Sequence, residues 1–144
     1  MARPNLSHLN MLVIDDSAPM RKVITMILRR LDCQEIAEAA SIKDAACALA
    51  ERRFDAILLD YKLDTRTGVD ILRLLRGSDK TPNRRTPVLM LTGQTRQEIV
   101  DEATAAGVDA FILKPVMPEA LGWRVLETVS QVREREIAQA RHHA

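Results

Sequence analysis

Four short apolar runs, Met11-Leu12-Val13-Ile14, Ala56-Ile57-Leu58-Leu59, Val88-Leu89-Met90-Leu91 and Ala110-Phe111-Ile112-Leu113, each end abruptly on a polar residue: Asp15, Asp60, Thr92 and Lys114. None of them alternates polar with apolar positions, and an unbroken apolar run of this length reads as a strand covered on both faces. Such strands lie parallel, so the residues that end them gather along one edge of the sheet, where open α/β sheets bind their ligands. Carboxylates, a hydroxyl and an ammonium are thereby brought together. The set suits a divalent cation and a phosphoryl group.

Helical periodicity fills the intervals. Met20, Val23, Ile24, Ile27, Leu28 and Leu31 fall on one apolar stripe, with Ser17 placed to cap that helix and Pro19 in its first turn. A second helix is expected from Ser41, burying Ile42, Ala45, Ala46, Leu49 and Ala50. Gly68 opens a third helix through Ile71, Leu72 and Leu75, and a fourth runs from about Arg96 to Ala106, where Gly107 supplies the left-handed stop. The fifth starts near Pro118 with Leu121, Val125, Val129 and Val132 along one side. The remaining strand, Glu35 to Ala39, is interrupted by charges at Glu35 and Glu38, as befits a sheet edge.

Strand and helix thus alternate five times, which predicts an α/β doubly wound, five-stranded parallel sheet flanked by five helices. The interval from Asp15 to Asp60 holds a helix, a strand and a helix, so the first and third strands can be neighbours with the second outside, giving the order 2-1-3-4-5. The loop from Gly77 to Pro87 and the polar stretch after Val132 are the loosely specified parts. The basic residues from Lys80 to Arg85 read as solvated, and the alternating charges of Arg133-Glu134-Arg135-Glu136 as a solvent-facing extension of the last helix.

A chain of 144 residues is a single domain, residues 1–144, with a core expected over about 9–132. Hydrophobic residues make up 47% and aromatic residues 3%, so the core must be aliphatic. A formal net charge of +1 argues against nucleic acid or an anionic membrane as partner. No apolar stretch is long enough to span a bilayer and Met1 to Asn10 lacks a signal-peptide core, so a cytoplasmic location is expected. Cys33 and Cys47 lack metal-ligand spacing and read as small, partly buried, reduced side chains. Trp123 lies off the apolar stripe of its helix, where it could meet a partner or pack on the tail.

Asp15-Asp16, Asp60, Thr92-Gly93 and Lys114-Pro115, with Gly68 eight residues after Asp60 and Phe111 three before Lys114, together resemble the receiver domain of bacterial two-component response regulators, of the chemotaxis-receiver type. The resemblance implies the flavodoxin-like fold and the same strand order. It also implies that Asp60 accepts a phosphoryl group from a histidine kinase or a histidine phosphotransfer protein, so that the chain is a phosphoacceptor signalling protein rather than an enzyme acting on a separate substrate. Mg²⁺ is the implied cofactor, bound by Asp16 directly and Asp15 through water, with Asp60 and the Lys62 carbonyl completing the protein's share.

Lys114 is implied to neutralise phosphoryl oxygens, behind a cis peptide to Pro115, and Thr92 to donate its hydroxyl to the phosphoryl group. Thr92 and Phe111 form the implied switch, which remodels the surface of the fourth helix, fifth strand and fifth helix for a downstream protein target or a homodimer. Lys62, Gln94 and the pair Leu63-Asp64 depart from the commonest receiver pattern at positions that influence dephosphorylation. Two rival readings follow from the same residues. A hydrolase of the haloacid dehalogenase type would need a second carboxylate two residues after Asp60, where Lys62 stands, and a degenerate receiver serving only as a protein-binding module would have no use for the acidic pair.

Overall fold

The computed structural model describes residues 2–63 and 66–142. Its elements run β1 (Asn10–Ile14), α1 (Ala18–Arg30), β2 (Glu35–Ala39), α2 (Ile42–Glu51), β3 (Ala56–Asp60), α3 (Gly68–Gly77), β4 (Val88–Thr92), α4 (Gln97–Ala106), β5 (Ala110–Leu113) and α5 (Pro118–His142). The strands form one parallel sheet in the order β2-β1-β3-β4-β5. That is the order expected from the alternation of elements, with β3 and β4 buried along their whole length.

Alternate side chains of each strand feed two separate cores. Met11, Val13, Leu58, Leu89, Leu91 and Ile112 meet α1 and α5 on one face. Leu12, Ile14, Ile57, Leu59, Val88 and Met90 meet α2, α3 and α4 on the other. Every residue of a central strand therefore has a buried destination, which is why these runs show no polar alternation. The expected caps form: the Ser17 hydroxyl accepts from Met20 N, the Ser41 hydroxyl from Asp44 N, and Gly107 ends α4 at φ 102°.

Four local expectations are corrected. Val23 is exposed and Thr25 is buried, because the buried stripe of α1 is turned away from Val23 toward Thr25 about Ile24, Ile27 and Leu28. In α2 only Ala45 and Leu49 are fully buried, while Ala46 and Ala50 face outward. Cys33 is buried, its thiol pushed up to about 11 chiefly by that burial, but Cys47 is exposed. The stretch from Gly77 to Pro87 is far from loose. Asn83 is wholly buried, its amide donating to Leu49 O and Arg52 O while its Oδ1 accepts from Phe54 N and the Thr86 hydroxyl.

Segments toward both ends of the described residues are also tied down. Leu6 N donates to Leu31 O at 2.8 Å, Leu6 and Leu9 are buried, and Pro4 sits where a Cβ on Gly122 would come within 2.5 Å of it. The polar stretch after Val132 continues α5 to His142, as its charge pattern suggested, and is anchored by Arg133 to Asp55 (3.1 Å) and Arg135 to Asp109 (2.8 Å). Asp109 also receives Arg76 from α3 and Val88 N from β4, which joins three elements at the edge opposite the strand tips. No helix is long and apolar enough to cross a membrane among the described residues.

Candidate phosphoacceptor and metal site

The tips of β1 and β3 lie side by side in the sheet, and that adjacency creates the site. Carboxylate oxygens of Asp15, Asp16 and Asp60 all lie within 4.8 Å of one another. Asp15 and Asp60 are buried, whereas Asp16 is open to solvent. Just beyond β5 the Lys114 ammonium reaches Asp60 Oδ1 at 2.8 Å, and the Lys114-Pro115 peptide is cis. The lysine side chain is 26% exposed and the aspartate side chain 8%, so the pair is shielded while one end still meets solvent.

Asp15 is held on three sides. Its N–H donates to Ala39 O at 3.1 Å, its carbonyl accepts from Arg21 Nη1 at 2.7 Å, and its Oδ1 accepts from Ser17 N at 2.9 Å. Its Oδ2 is buried without a hydrogen-bond partner among the described residues. Burial above all, then repulsion from Asp60 and more weakly from Asp16, raises the Asp15 carboxyl above its ordinary range, against the lowering effects of Ser17 N–H and Lys114. A buried, orphaned carboxylate oxygen on a residue that has two further carboxylates within 4.8 Å is what a hard divalent cation would satisfy. The donor set of Asp15, Asp16 and Asp60 fits Mg²⁺ in this respect.

Gly68 is required at the rim: a Cβ there would lie 2.5 Å from the Asp60 carbonyl oxygen, while Gly68 N donates to Tyr61 O at 2.7 Å. Lys62 follows as an exposed residue bridged to Thr67. The Asp64 position singled out from the sequence lies outside the described residues.

Thr92 ends β4 at the same edge and is buried, but its hydroxyl is turned onto the next turn, donating to Gln94 O and accepting from Gln94 N, both at 3.1 Å. No hydrogen bond links Thr92 to Asp60 among the described residues. Phe111, paired in register with Met90, is half-buried beside a cavity of about 260 Å³ that Leu113, Met117 and Arg124 also line. Leu113, Met117 and Trp123 are exposed. Arg21 was not anticipated. An arginine on the polar side of an amphipathic helix carries no sign in sequence that it will reach back to a strand end.

A family model described as the response regulator receiver domain matches residues 11–126. The chain is 31% identical over 127 residues to the chemotaxis protein CheY of Pseudomonas aeruginosa, covering 88% of this chain and 98% of that one. It is similar in structure to chemotaxis protein CheY4 of Vibrio cholerae, with a TM-score of 0.73 at 30% identity, covering 85% of this chain and 97% of that one. The receiver domain of sensor histidine kinase PA1611 from Pseudomonas aeruginosa PAO1, solved with a magnesium ion coordinated in its active site cleft, shares the fold at a TM-score of 0.75 and 24% identity, covering 85% of this chain and 98% of that one.

Proposed function

This chain belongs to the response regulator receiver domain family of two-component signalling, and on that premise we propose that it accepts a phosphoryl group on Asp60 from a histidine kinase or a histidine phosphotransfer protein. The observation that carries the proposal is the convergence of the Asp60 carboxylate, the Lys114 ammonium at 2.8 Å and the Asp15-Asp16 pair within 4.8 Å.

An Asp60 oxygen attacks phosphorus, the P–N bond to the donor imidazole breaks, and the donor nitrogen keeps the electron pair and is protonated. Asp15, Asp16, Asp60 and the Lys62 carbonyl would hold Mg²⁺, which when bound would supply positive charge to the carboxylates and to the phosphoryl oxygens. Lys114 stands beside Asp60 before transfer and stabilises negative charge that develops on the phosphoryl oxygens during it. The support for metal occupancy is the orphaned Asp15 Oδ2. A relative's magnesium site points the same way.

After transfer, the Thr92 hydroxyl exchanges its bonds to Gln94 for one to the phosphoryl group, and Phe111 moves into the space this leaves. Both residues stand on neighbouring strands, β4 and β5. The α4-β5-α5 surface is thereby reshaped for a downstream protein or a second copy of the chain. Lys62 and Gln94 set how fast water removes the phosphoryl group. The site of action is the cytoplasm of a bacterium.

The test is incubation with Mg²⁺ and acetyl phosphate, followed by intact mass. A base-labile, phosphate-sized gain is expected in the native chain and none in Asp60→Asn. An equal gain in both, or none in either with Mg²⁺ present, overturns the assignment.

A further inference from the structure

Asp15 N, O and Oδ1 are all engaged, and the groups that engage them differ in kind. Ala39 O and Ser17 N are backbone groups fixed by β2 and by the start of α1. The remaining partner is a side chain: Arg21 Nη1 on the Asp15 carbonyl at 2.7 Å. Arg21 Nε lies 3.4 Å from Glu38 Oε1 on β2, and the arginine side chain is only 17% exposed. One planar guanidinium thus spans α1, the β1 tip and the edge strand.

We propose that Arg21 is a positioning residue for the divalent-cation site, fixing through the Asp15 carbonyl the turn that carries the Asp15 and Asp16 carboxylates. This inference rests on the reading of the acidic cluster as a metal site. The Asp15 carbonyl and the Asp16 N–H belong to one rigid peptide plane, so a donor that holds the carbonyl sets the orientation of the link between the two ligand residues. Without that donor, the carbonyl can turn toward solvent and carry the plane with it. The fork of the guanidinium serves two acceptors on different elements at once, which a single ammonium on a flexible stem does poorly.

The sign of the effect separates positioning from charge. Arg21 is a cation beside a cation site, so by Coulomb's law alone its removal strengthens Mg²⁺ binding. Removal of an outer support for metal ligands instead weakens binding, by about 10–100-fold in characterised sites. Arg21→Met keeps the aliphatic stem and removes the donors. Arg21→Lys keeps the charge, and Glu38→Gln removes the ionic tether while leaving the Asp15 contact in place.

The experiment is calorimetric titration of the full chain with Mg²⁺, with no phosphodonor present. Expected is weakening of at least about tenfold in Arg21→Met, a smaller loss in Arg21→Lys and a change of no more than a few-fold in Glu38→Gln. Asp15→Asn serves as the control for the site itself. If Arg21→Met binds as tightly as the native chain or more tightly, while Asp15→Asn weakens binding, the role of Arg21 is overturned and the metal site stands. If Arg21→Met fails to fold, Arg21→Lys decides: native-like affinity overturns the proposal. Absence of Mg²⁺ binding by the native chain overturns both this inference and the metal reading beneath it.

Discussion

Replacing Asp15 with Asn is expected to stabilise the metal-free protein and to remove its stabilisation by Mg²⁺. Asp15 is buried, its Oδ2 has no partner among the described residues, and Asp60 and Asp16 each place a carboxylate oxygen within 4.8 Å of one of its own. At an effective dielectric near 20, two like charges at that separation repel by about 3.5 kcal/mol. Lys114 cancels much of one such pair and solvent screens Asp16, so a net gain of roughly 1–2 kcal/mol remains for the neutral side chain, or about 3–6 °C in Tm. Asparagine keeps an acceptor for Ser17 N and places an amide where the orphaned oxygen was.

The pH dependence has a definite sign. A carboxyl whose folded pKa is raised is protonated in both folded and unfolded states at low enough pH, so the native chain bears no penalty there. The penalty develops as pH rises from the ordinary carboxylate range through the raised pKa, and is complete above it. The variant's advantage in EDTA should therefore grow from acid to neutral pH. Adding Mg²⁺ at tenfold its dissociation constant should stabilise the native chain by about 1.4 kcal/mol and the variant by much less. Thermal unfolding across pH, with and without Mg²⁺, reads both effects. A variant no more stable than the native chain in EDTA at neutral pH would refute the electrostatic reasoning.

Gly68→Ala puts a Cβ 2.5 Å from the Asp60 carbonyl oxygen; a loss of about 1–3 kcal/mol and slower acyl-phosphate labelling are expected by denaturant titration and intact mass. Asn83→Ala takes the side-chain partner from Phe54 N and Arg52 O, while Leu49 O keeps the Thr81 hydroxyl and the Thr86 hydroxyl keeps Phe54 O, and should cost about 2–4 kcal/mol in urea unfolding without changing the Mg²⁺ affinity. Lys62→Asn should accelerate loss of the phosphoryl group from Asp60, followed by the decay of intact mass after the donor is removed; an unchanged rate would remove Lys62 from the set of modulators.

The parts of the molecule that follow from periodicity were readable in the sequence. A strand with two covered faces has nowhere to put a polar side chain, so each of the four apolar runs declared its own end, and the parallel order then carried Asp15, Asp60, Thr92 and Lys114 to one edge. The width of a helix's buried stripe was less legible. Val23, Ala46 and Ala50 satisfy the apolar pattern yet face outward, because small or marginal positions at the border of a stripe are assigned by the neighbour's shape.

Least legible were single polar residues with distant partners. Asn83 sits in a Thr-Pro-Asn-Arg-Arg-Thr-Pro stretch that reads as a surface turn, and only the folded chain brings Leu49 O, Arg52 O and Phe54 N around it. Arg76, Asp109 and Arg135 likewise come from three separate segments. Burial lowers the Arg76 guanidinium pKa, an effect opposed by Asp109. Periodicity reports what faces a core and says nothing of which donor finds which acceptor.

The packing of the chain ends bears on where this protein can be cut. The family match spans residues 11–126, yet Leu6, Leu9, Val129 and Val132 are all buried in the finished fold. A fragment trimmed to the matched residues would forfeit the burial of these four aliphatic side chains, roughly 6–12 kcal/mol in transfer free energy, which rivals the whole stability of an ordinary domain at about 5–15 kcal/mol. Cutting at residues 11 and 126 would thus uncover apolar surface of the core that α1 and α5 share. A usable minimal version must retain Pro4, which fills the notch left by Gly122, and run beyond Arg135, whose guanidinium fastens the last helix to Asp109.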